Sequence, residues 1–325
     1  MSAADLPPGW RRPTLDDIRA AARRIEGRVH ETPVMHCADI NAMLGCDLFF
    51  KCENLQRIGA FKARGAMNAV WSLGEEEAAK GVATHSSGNH GAALALAARS
   101  RDIASWVVVP DNAPAVKRDS VRREGATVID CAPGMQNRES ALARVVEETG
   151  ATVIHPFDDD RVIAGQGTAA LELLHACRNL SMLLAPVGGG GLISGTAITA
   201  KGQNPSIKVI ACEPAAADDT KRSFVHGQRL TVDAPDTIAD GLRASLGQRN
   251  FRIISELVDD VVTVSEAGII KATRLVWERM RIVIEPSAAV PLAALLEDQV
   301  PGASGAMIGV ILTGGNVDLE ALRWS

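Results

Sequence analysis

The chain has 325 residues, 46% hydrophobic and 22% charged, an ordinary globular composition that is long enough for two domains. With a net charge of −5, 3% aromatic residues and no tyrosine, the composition gives no basis for binding nucleic acid or an anionic membrane. The six cysteines form no Cys-x-x-Cys pair, no His-Glu-x-x-His motif occurs and the N-terminus lacks the features of a signal peptide. These features argue against zinc and predict reduced thiols in a cytoplasmic compartment.

Apolar, β-rich runs alternate with segments of helical pattern along the chain. The predicted strands, in chain order, are 48–51, 105–109, 127–130, 152–155, 182–187, 208–213, 260–264 and 307–312. The predicted helices include 14–23, 90–100, 136–149, 161–176, 192–201 and 268–281. Several strands are continuous apolar runs, which is typical of strands buried on both faces. The alternation predicts an α/β fold with mainly parallel sheets flanked by helices.

Two polar connections, at 72–77 and 156–160, suggest a division of the chain. They predict that residues 76–157 form a small domain inserted into a large one made of 1–75 and 158–325, with one continuous sheet as the alternative. Residues 179–200 carry no charge, but Pro186 and four consecutive glycines favour a buried strand, a loop and a helix over a membrane span.

The strongest local signal is the tetraglycine between the predicted strand 182–187 and the predicted helix 192–201. It consists of Gly188, Gly189, Gly190 and Gly191. Glycines at such a junction let successive backbone N–H groups turn toward one anion at a helix N-terminus. Neither Gly-Lys-Ser/Thr nor Gly-x-Gly-x-x-Gly is completed here, so the P-loop and the dinucleotide motif are excluded. A purely structural tight turn is the alternative.

Three other segments complete a set of chemical parts. Lys62 is flanked by small and aromatic residues instead of charges. Residues 86–91 (Ser-Ser-Gly-Asn-His-Gly) offer hydroxyls, an amide and helix-start N–H groups to a carboxylate, although helix capping would also explain them. Thr313 ends the last predicted strand, where parallel sheets present ligand contacts, with a Gly-Gly turn as the alternative. Together these parts are what is needed to hold pyridoxal phosphate (PLP) as a Schiff base.

The motifs resemble those of fold-type II PLP enzymes of the serine/threonine dehydratase and serine racemase family, nearly end to end. The resemblance lies in residues 51–56, 59–62, 86–91, 165–168, 188–191, 213–214 with 218–219, 239–241 and 313–316. It implies a tryptophan synthase β-like fold of two domains, with the cofactor in the cleft between them, and a homodimer.

The resemblance also implies a role for each matching residue. Lys62 would be the Schiff-base lysine and catalytic base, with Phe61 against the ring. Asn89 would meet the ring hydroxyl and Thr313 the pyridine nitrogen. The other cofactor contacts would be Gly188, Gly189, Gly190, Gly191, Leu192 and Gly241. Ser87 would face Lys62 across the cofactor as a second catalytic residue. The substrate residues would be Ser86, Ser87, His90 and Arg138.

A divalent-cation site is implied as well. It would consist of Glu213, the carbonyl of Ala217 and Asp219, an oxygen set that suits Mg²⁺, or Ca²⁺ or Mn²⁺, better than a thiophilic metal. Two departures from the family pattern stand out. Ala60 replaces the usual serine near the substrate, and Ala92 replaces the glutamine of nucleotide-activated racemases, so nucleotide activation is not implied.

The implied activity is dehydration of a 3-hydroxy amino acid, such as serine, threonine, 3-hydroxyaspartate or phenylserine, to a 2-oxo acid and ammonia. The neutral hydroxyl of Thr313 favours elimination because it does not hold the pyridine nitrogen protonated, which leaves a long-lived carbanion less stabilised. Racemisation is the alternative, with Ser87 delivering a proton to the opposite face. β-Replacement, and a binding protein without catalysis, are less favoured.

Overall fold

The computed structural model of the chain describes residue 6 and residues 9–86, 88–113 and 115–318. Its strands, in chain order, are β1 (Val34–Met35), β2 (Asp47–Cys52), β3 (Val82–His85), β4 (Ser105–Pro110), β5 (Thr127–Cys131), β6 (Thr152–Val153), β7 (Met182–Pro186), β8 (Lys208–Pro214), β9 (Asp260–Val264) and β10 (Met307–Leu312). All eight predicted strands are present, and β1 and β3 are additional.

The helices alternate with these strands. They are α1 (Leu15–Ile25), α2 (Ala38–Leu44), α3 (Lys62–Trp71), α4 (Glu75–Ala79), α5 (Asn89–Ser100), α6 (Ala115–Arg123), α7 (Met135–Thr149), α8 (Asp160–Ala176), α9 (Gly191–Gln203), α10 (Asp219–His226), α11 (Gln248–Leu257), α12 (Glu266–Met280) and α13 (Pro286–Leu296). The six predicted helices are found within two residues of their expected ends. No helix in the described ranges is both long and apolar enough to cross a bilayer.

The strands form two sheets. The larger has the order β1-β2-β10-β7-β8-β9, in which only β1 runs antiparallel to its neighbour. The smaller has the order β5-β4-β3-β6 and is parallel throughout. The α/β class with parallel sheets is therefore confirmed. The smaller sheet uses only chain between residues 82 and 153, inside the predicted insertion 76–157, while the domain limits themselves stay a prediction.

The sheet topology positions three of the predicted motifs. The segment 86–91 directly follows β3, the tetraglycine follows β7 after Val187, and Thr313 follows β10. Parallel strands gather their carboxyl ends at one edge of a sheet, where ligands of α/β proteins bind. β7 is buried along its whole length, so the loop after it leaves a rigid core.

A buried cluster of charges fixes the helix that begins at Lys62. Arg64, with no exposed surface, contacts Glu53 (Nε–Oε2 2.7 Å) and Glu172 (Nη1–Oε1 2.6 Å), and Lys51 contacts Glu172 (Nζ–Oε2 2.6 Å). Burial opposes ionisation of Glu53, yet the Arg64 guanidinium holds the pKa of this carboxyl below its usual value. The cluster ties α3 to the end of β2 and to α8.

We expect Arg64→Ala to destabilise the protein by about 3–5 kcal/mol, because it leaves the fully buried Glu53 carboxylate without its partner. Denaturant unfolding followed by circular dichroism measures this change. Arg252→Ala, which removes the exposed α11 pair with Glu256, is the control and should cost less than about 1 kcal/mol. Equal effects of the two substitutions would show that the buried cluster does not stabilise the fold.

Candidate active site

One cavity of about 1390 Å³ lies where the loops after β3, β7 and β10 meet. Its lining includes Phe61, Lys62, Ser86, Asn89, His90, Arg138, Gly188, Gly189, Gly190, Gly191, Leu192, Gly241 and Thr313. These are all the predicted cofactor and substrate residues except Ser87, which lies outside the described residues. The predicted cation ligands Glu213, Ala217 and Asp219 do not line the cavity.

Lys62 reaches the cavity from the first turn of α3. The preceding segment pairs with the chain after β10, through hydrogen bonds from Phe61 N to Thr313 O and from Gly315 N to Gly59 O, both 2.9 Å. The Lys62 ammonium donates to Pro156 O at 2.8 Å. Burial lowers the pKa of Lys62 to about 8, against the opposing effect of the nearby Glu285 carboxylate. The amine is thus prepared to act as a nucleophile and base close to neutral pH.

Glu285 is a site residue that the sequence interpretation missed. It is only 4% exposed, and its carboxylate accepts hydrogen bonds from Asn89 Nδ2 at 3.1 and 3.2 Å. Asn89 Oδ1 in turn accepts from Asn316 Nδ2 at 2.9 Å, so both ends of the Asn89 amide are fixed. Glu285 precedes Pro286 at the start of α13, a pattern that reads as an ordinary helix start and therefore gave no functional signal.

The tetraglycine presents a set of unpaired donors. Within the described part of the chain, the N–H groups of Gly188, Gly189 and Gly190 have no intramolecular acceptor. The first turn of α9 adds those of Gly191 and Leu192, which an α-helix leaves unpaired. Five N–H groups at a helix N-terminus suit a phosphate group.

The glycines are also required by close packing. A Cβ atom on Gly189 would lie 2.2 Å from the ring of Phe157. Gly190 has a φ of +95°, and a Cβ there would lie 2.6 Å from Cβ of Asn250. The run of four glycines therefore lets the side chains of Phe157 and Asn250 pack directly against the loop, and it also gives the loop freedom to turn.

Thr313 presents a hydroxyl with no partner. The side chain is 3% exposed, and its Oγ1 is buried without a hydrogen bond to any described residue. A buried hydroxyl in a cavity wall is costly unless a ligand pairs with it, which is consistent with a contact to the bound cofactor. Gly241, which also lines the cavity, donates its N–H to Ser287 Oγ at 3.0 Å.

The predicted substrate residues differ in whether they present a hydrogen-bond donor or an acceptor. His90 is buried, and its Nε2 lies 3.2 Å from Ile154 O, so this nitrogen carries the hydrogen. Burial, followed by the nearby Lys62 ammonium, holds the pKa of His90 well below its usual value, which leaves Nδ1 as an acceptor. Arg138, by contrast, has a buried Nε without a partner among the described residues. Among the predicted substrate residues that the structure describes, Ser86 and Arg138 thus carry donors for a carboxylate.

Two further histidines, which the sequence analysis did not single out, lie beside these residues. His85 lines the cavity, and its ring centroid is 5.8 Å from that of His155. Burial, with His85 as a second cause, lowers the pKa of His155 to about 3. Its neutral Nδ1 accepts from Asp158 N at 2.9 Å and so shapes the turn whose Pro156 carbonyl receives Lys62.

The predicted cation ligands lie together at the end of β8. Glu213 is fully buried and accepts from Lys221 N (2.6 Å), while Asp219 is 1% exposed and accepts from Leu246 N (2.8 Å). Burial raises the pKa of Glu213 to about 8 and that of Asp219 to about 6. No group of three or more His, Cys, Asp or Glu in the described ranges is placed to hold a metal, so two carboxylates and a backbone carbonyl are the donors to consider.

Comparisons with known proteins agree with this geometry. Residues 25–314 match the family described as pyridoxal-phosphate dependent enzyme. The chain is 51% identical to a serine racemase of Dictyostelium discoideum, over 95% of this chain and 96% of that protein. It is 48% identical to a beta-hydroxyaspartate dehydratase of Paracoccus denitrificans, over 96% and 99%. The structure of maize serine racemase superposes with a TM-score of 0.93 at 46% identity, covering 95% of each chain. The chain therefore belongs to the pyridoxal-phosphate-dependent enzymes of fold-type II.

Proposed function

We propose that the protein is a PLP-dependent dehydratase that converts a 3-hydroxy amino acid to a 2-oxo acid and ammonia. The observation that carries the proposal is the meeting, in one cavity, of the Lys62 amine, the unpaired N–H groups of the tetraglycine and the unpaired Thr313 hydroxyl. The dehydratase of P. denitrificans, 48% identical over nearly its full length, supports it.

In this proposal the bound cofactor supplies an electron sink for the pair left when the α-proton is removed. Gly188–Gly191 and Leu192 would hold its phosphate, Phe61, Asn89 and Gly241 its ring, and Thr313 its pyridine nitrogen. Ser86 and Arg138 would orient the substrate carboxylate. Lys62, released by the incoming substrate amine, would take the α-proton and return a proton to the departing β-hydroxyl, which would leave as water. The unsaturated amine released from the site would then be hydrolysed by water to the 2-oxo acid and ammonia.

Racemisation is a second candidate function. It is favoured by the serine racemase of D. discoideum, at 51% identity. It would need a proton donor on the face of the substrate opposite Lys62, and Ser87, which lies outside the described residues, is the candidate.

Among possible substrates, the site favours one with a second carboxylate. Arg123 lines the cavity together with Arg138. With Arg138 orienting the α-carboxylate, Arg123 would offer a second guanidinium to the distal carboxylate of a 3-hydroxyaspartate. The relative named beta-hydroxyaspartate dehydratase is consistent with this choice.

We further propose a Mg²⁺, Ca²⁺ or Mn²⁺ ion on Glu213, the Ala217 carbonyl and Asp219, since two buried carboxylates side by side favour a cation between them. We also propose that the protein is a homodimer located in the cytoplasm. The six unpaired cysteines are consistent with a reducing compartment.

In the first test, the purified protein is incubated with PLP, Mg²⁺ and one amino acid at a time, and the 2-oxo acid and the enantiomer that form are measured. The amino acids are L- and D-serine, threonine, phenylserine and the hydroxyaspartate diastereomers. We expect 2-oxo acid from a hydroxyaspartate faster than from serine, and no turnover or visible cofactor band in Lys62→Ala. Lys208→Ala is the control, because Lys208 is exposed at the start of β8. This variant should retain both turnover and the visible cofactor band. Enantiomer that appears faster than oxo acid would identify a racemase, and activity retained in Lys62→Ala would refute the assignment of Lys62.

A second test follows the uptake of PLP by the cofactor-free protein as a function of pH. Uptake should slow as pH falls through about 8, because Lys62 becomes protonated there. In Glu285→Gln the midpoint should move to lower pH, since the carboxylate that favours the ammonium is gone. PLP itself titrates in the same way in both experiments. The difference between the midpoints of the two proteins therefore reports the change in the pKa of Lys62. Identical midpoints would mean that Glu285 does not influence this amine.

The cation is tested by chelation. EDTA should lower the melting temperature, and saturating Mg²⁺ should restore about 3–4 kcal/mol of stability at a hundred to a thousand times its dissociation constant. The double variant Glu213→Gln, Asp219→Asn is the matched control and should not respond to either treatment. A wild-type melting temperature that is the same with EDTA and with Mg²⁺ would exclude a bound cation.

A further inference from the structure

Asn250 lies behind the tetraglycine, outside the cavity wall, and its side chain has no exposed surface. It sits in the first turn of α11. Its Nδ2 donates to Gly189 O at 2.8 Å and to Phe157 O at 3.0 Å. One buried amide therefore joins the loop after β7 to the turn that follows β6.

The bond to Gly189 sets the direction of a donor. In a planar trans peptide the C=O and the following N–H point to opposite sides. The carbonyl of Gly189 is held by Asn250 and also by Gly247 N at 3.1 Å, both behind the loop. The N–H of Gly190, which has no acceptor among the described residues, is consequently turned toward the cavity that Gly190 lines.

The hydrogen bond to Phe157 connects Asn250 to the part of the cavity that contains Lys62. Phe157 follows Pro156, whose carbonyl accepts the Lys62 ammonium at 2.8 Å. The Phe157 ring packs so closely on Gly189 that a Cβ there would lie 2.2 Å from it. Asn250 thus holds the two walls of the cavity that would meet the phosphate and the lysine-bound end of one cofactor.

The segment 246–250 is itself anchored at both ends. Asp219 accepts from Leu246 N at 2.8 Å, and Asp158 accepts from Arg249 N at 2.9 Å. An amide on such a fixed segment has little freedom to reorient. Its hydrogen bonds are therefore made before any ligand binds.

We propose that Asn250 is a positioning residue for the cofactor phosphate, acting through the Gly189 carbonyl to orient the Gly190 N–H. The inference rests on the proposed placement of the phosphate at the tetraglycine. It predicts a loss of affinity mainly for the phosphate group, because the loss of the bond to Phe157 would affect PLP and pyridoxal alike and cancels in the ratio of their dissociation constants.

The test compares equilibrium binding of PLP and of pyridoxal, which lacks the phosphate, to the cofactor-free protein. Both ligands form the same bond to Lys62, so the ratio of their dissociation constants isolates the phosphate. In Asn250→Asp, which keeps the shape but loses the donor, and in Asn250→Ala, which adds no charge, the preference for PLP should fall roughly tenfold. Pyridoxal affinity should change less than about twofold.

Asn68→Ala is the matched control, since Asn68 is 2% exposed and also donates to a backbone carbonyl, that of Arg161 at 2.7 Å. It should lower the melting temperature and leave the PLP preference unchanged. If both Asn250 variants retain the wild-type preference, Asn250 is only structural and the inference is wrong. If wild-type protein binds pyridoxal as tightly as PLP, the placement of the phosphate fails, and the inference with it.

Discussion

The site depends on a short backbone pairing between distant parts of the chain. Residues 59–61 lie antiparallel to 313–315, with hydrogen bonds from Phe61 N to Thr313 O and from Gly315 N to Gly59 O and a bridge between Ala60 and Gly314. This pairing places Lys62 and the Thr313 hydroxyl on one cavity, although about 250 residues separate them. It lies next to the parallel pairing of β2 with β10, which ends at Cys52 and Leu312, and the two turns over residues 53–59 reverse the direction of the chain between the two pairings.

Electrostatics in the cavity favour an amine that is easily deprotonated and still held in place. Burial lowers the pKa of Lys62 to about 8, while Glu285 acts in the opposite direction. The nearby His90 and His155 remain neutral because burial lowers the pKa of each. Lys62 and Glu285 are therefore opposite charges close to neutral histidines. In the proposed function, backbone N–H groups hold the anionic phosphate, so its binding needs no further side-chain cation.

Sequence reasoning identified the motifs that are local in the chain and missed the contacts between them. The tetraglycine, Lys62 and Thr313 are recognisable because each residue type matches its chemistry directly. Glu285 looks like a plain helix start, and Asn250 like any polar residue of an amphipathic helix; only the fold shows what they contact. Strand β3 was missed because Val82 is its only strongly apolar residue, and α3 because it is buried along most of its length and so lacks an amphipathic pattern. The glycines were credited with freedom to turn, yet close packing by Phe157 and Asn250 is an equally strong requirement.

The same contacts connect the proposed cation site to the proposed phosphate site. Asp219 holds Leu246 N, and the next residue, Gly247, donates to the Gly189 carbonyl. Two bonds in series thus lead from a cation ligand to the peptide that orients the Gly190 N–H. If Asp219 moved, Leu246 and Gly247 would move with it, because one hydrogen bond and one peptide bond connect them directly. A cation bound as proposed would therefore act on the cofactor through the geometry of the loop, without contacting the substrate.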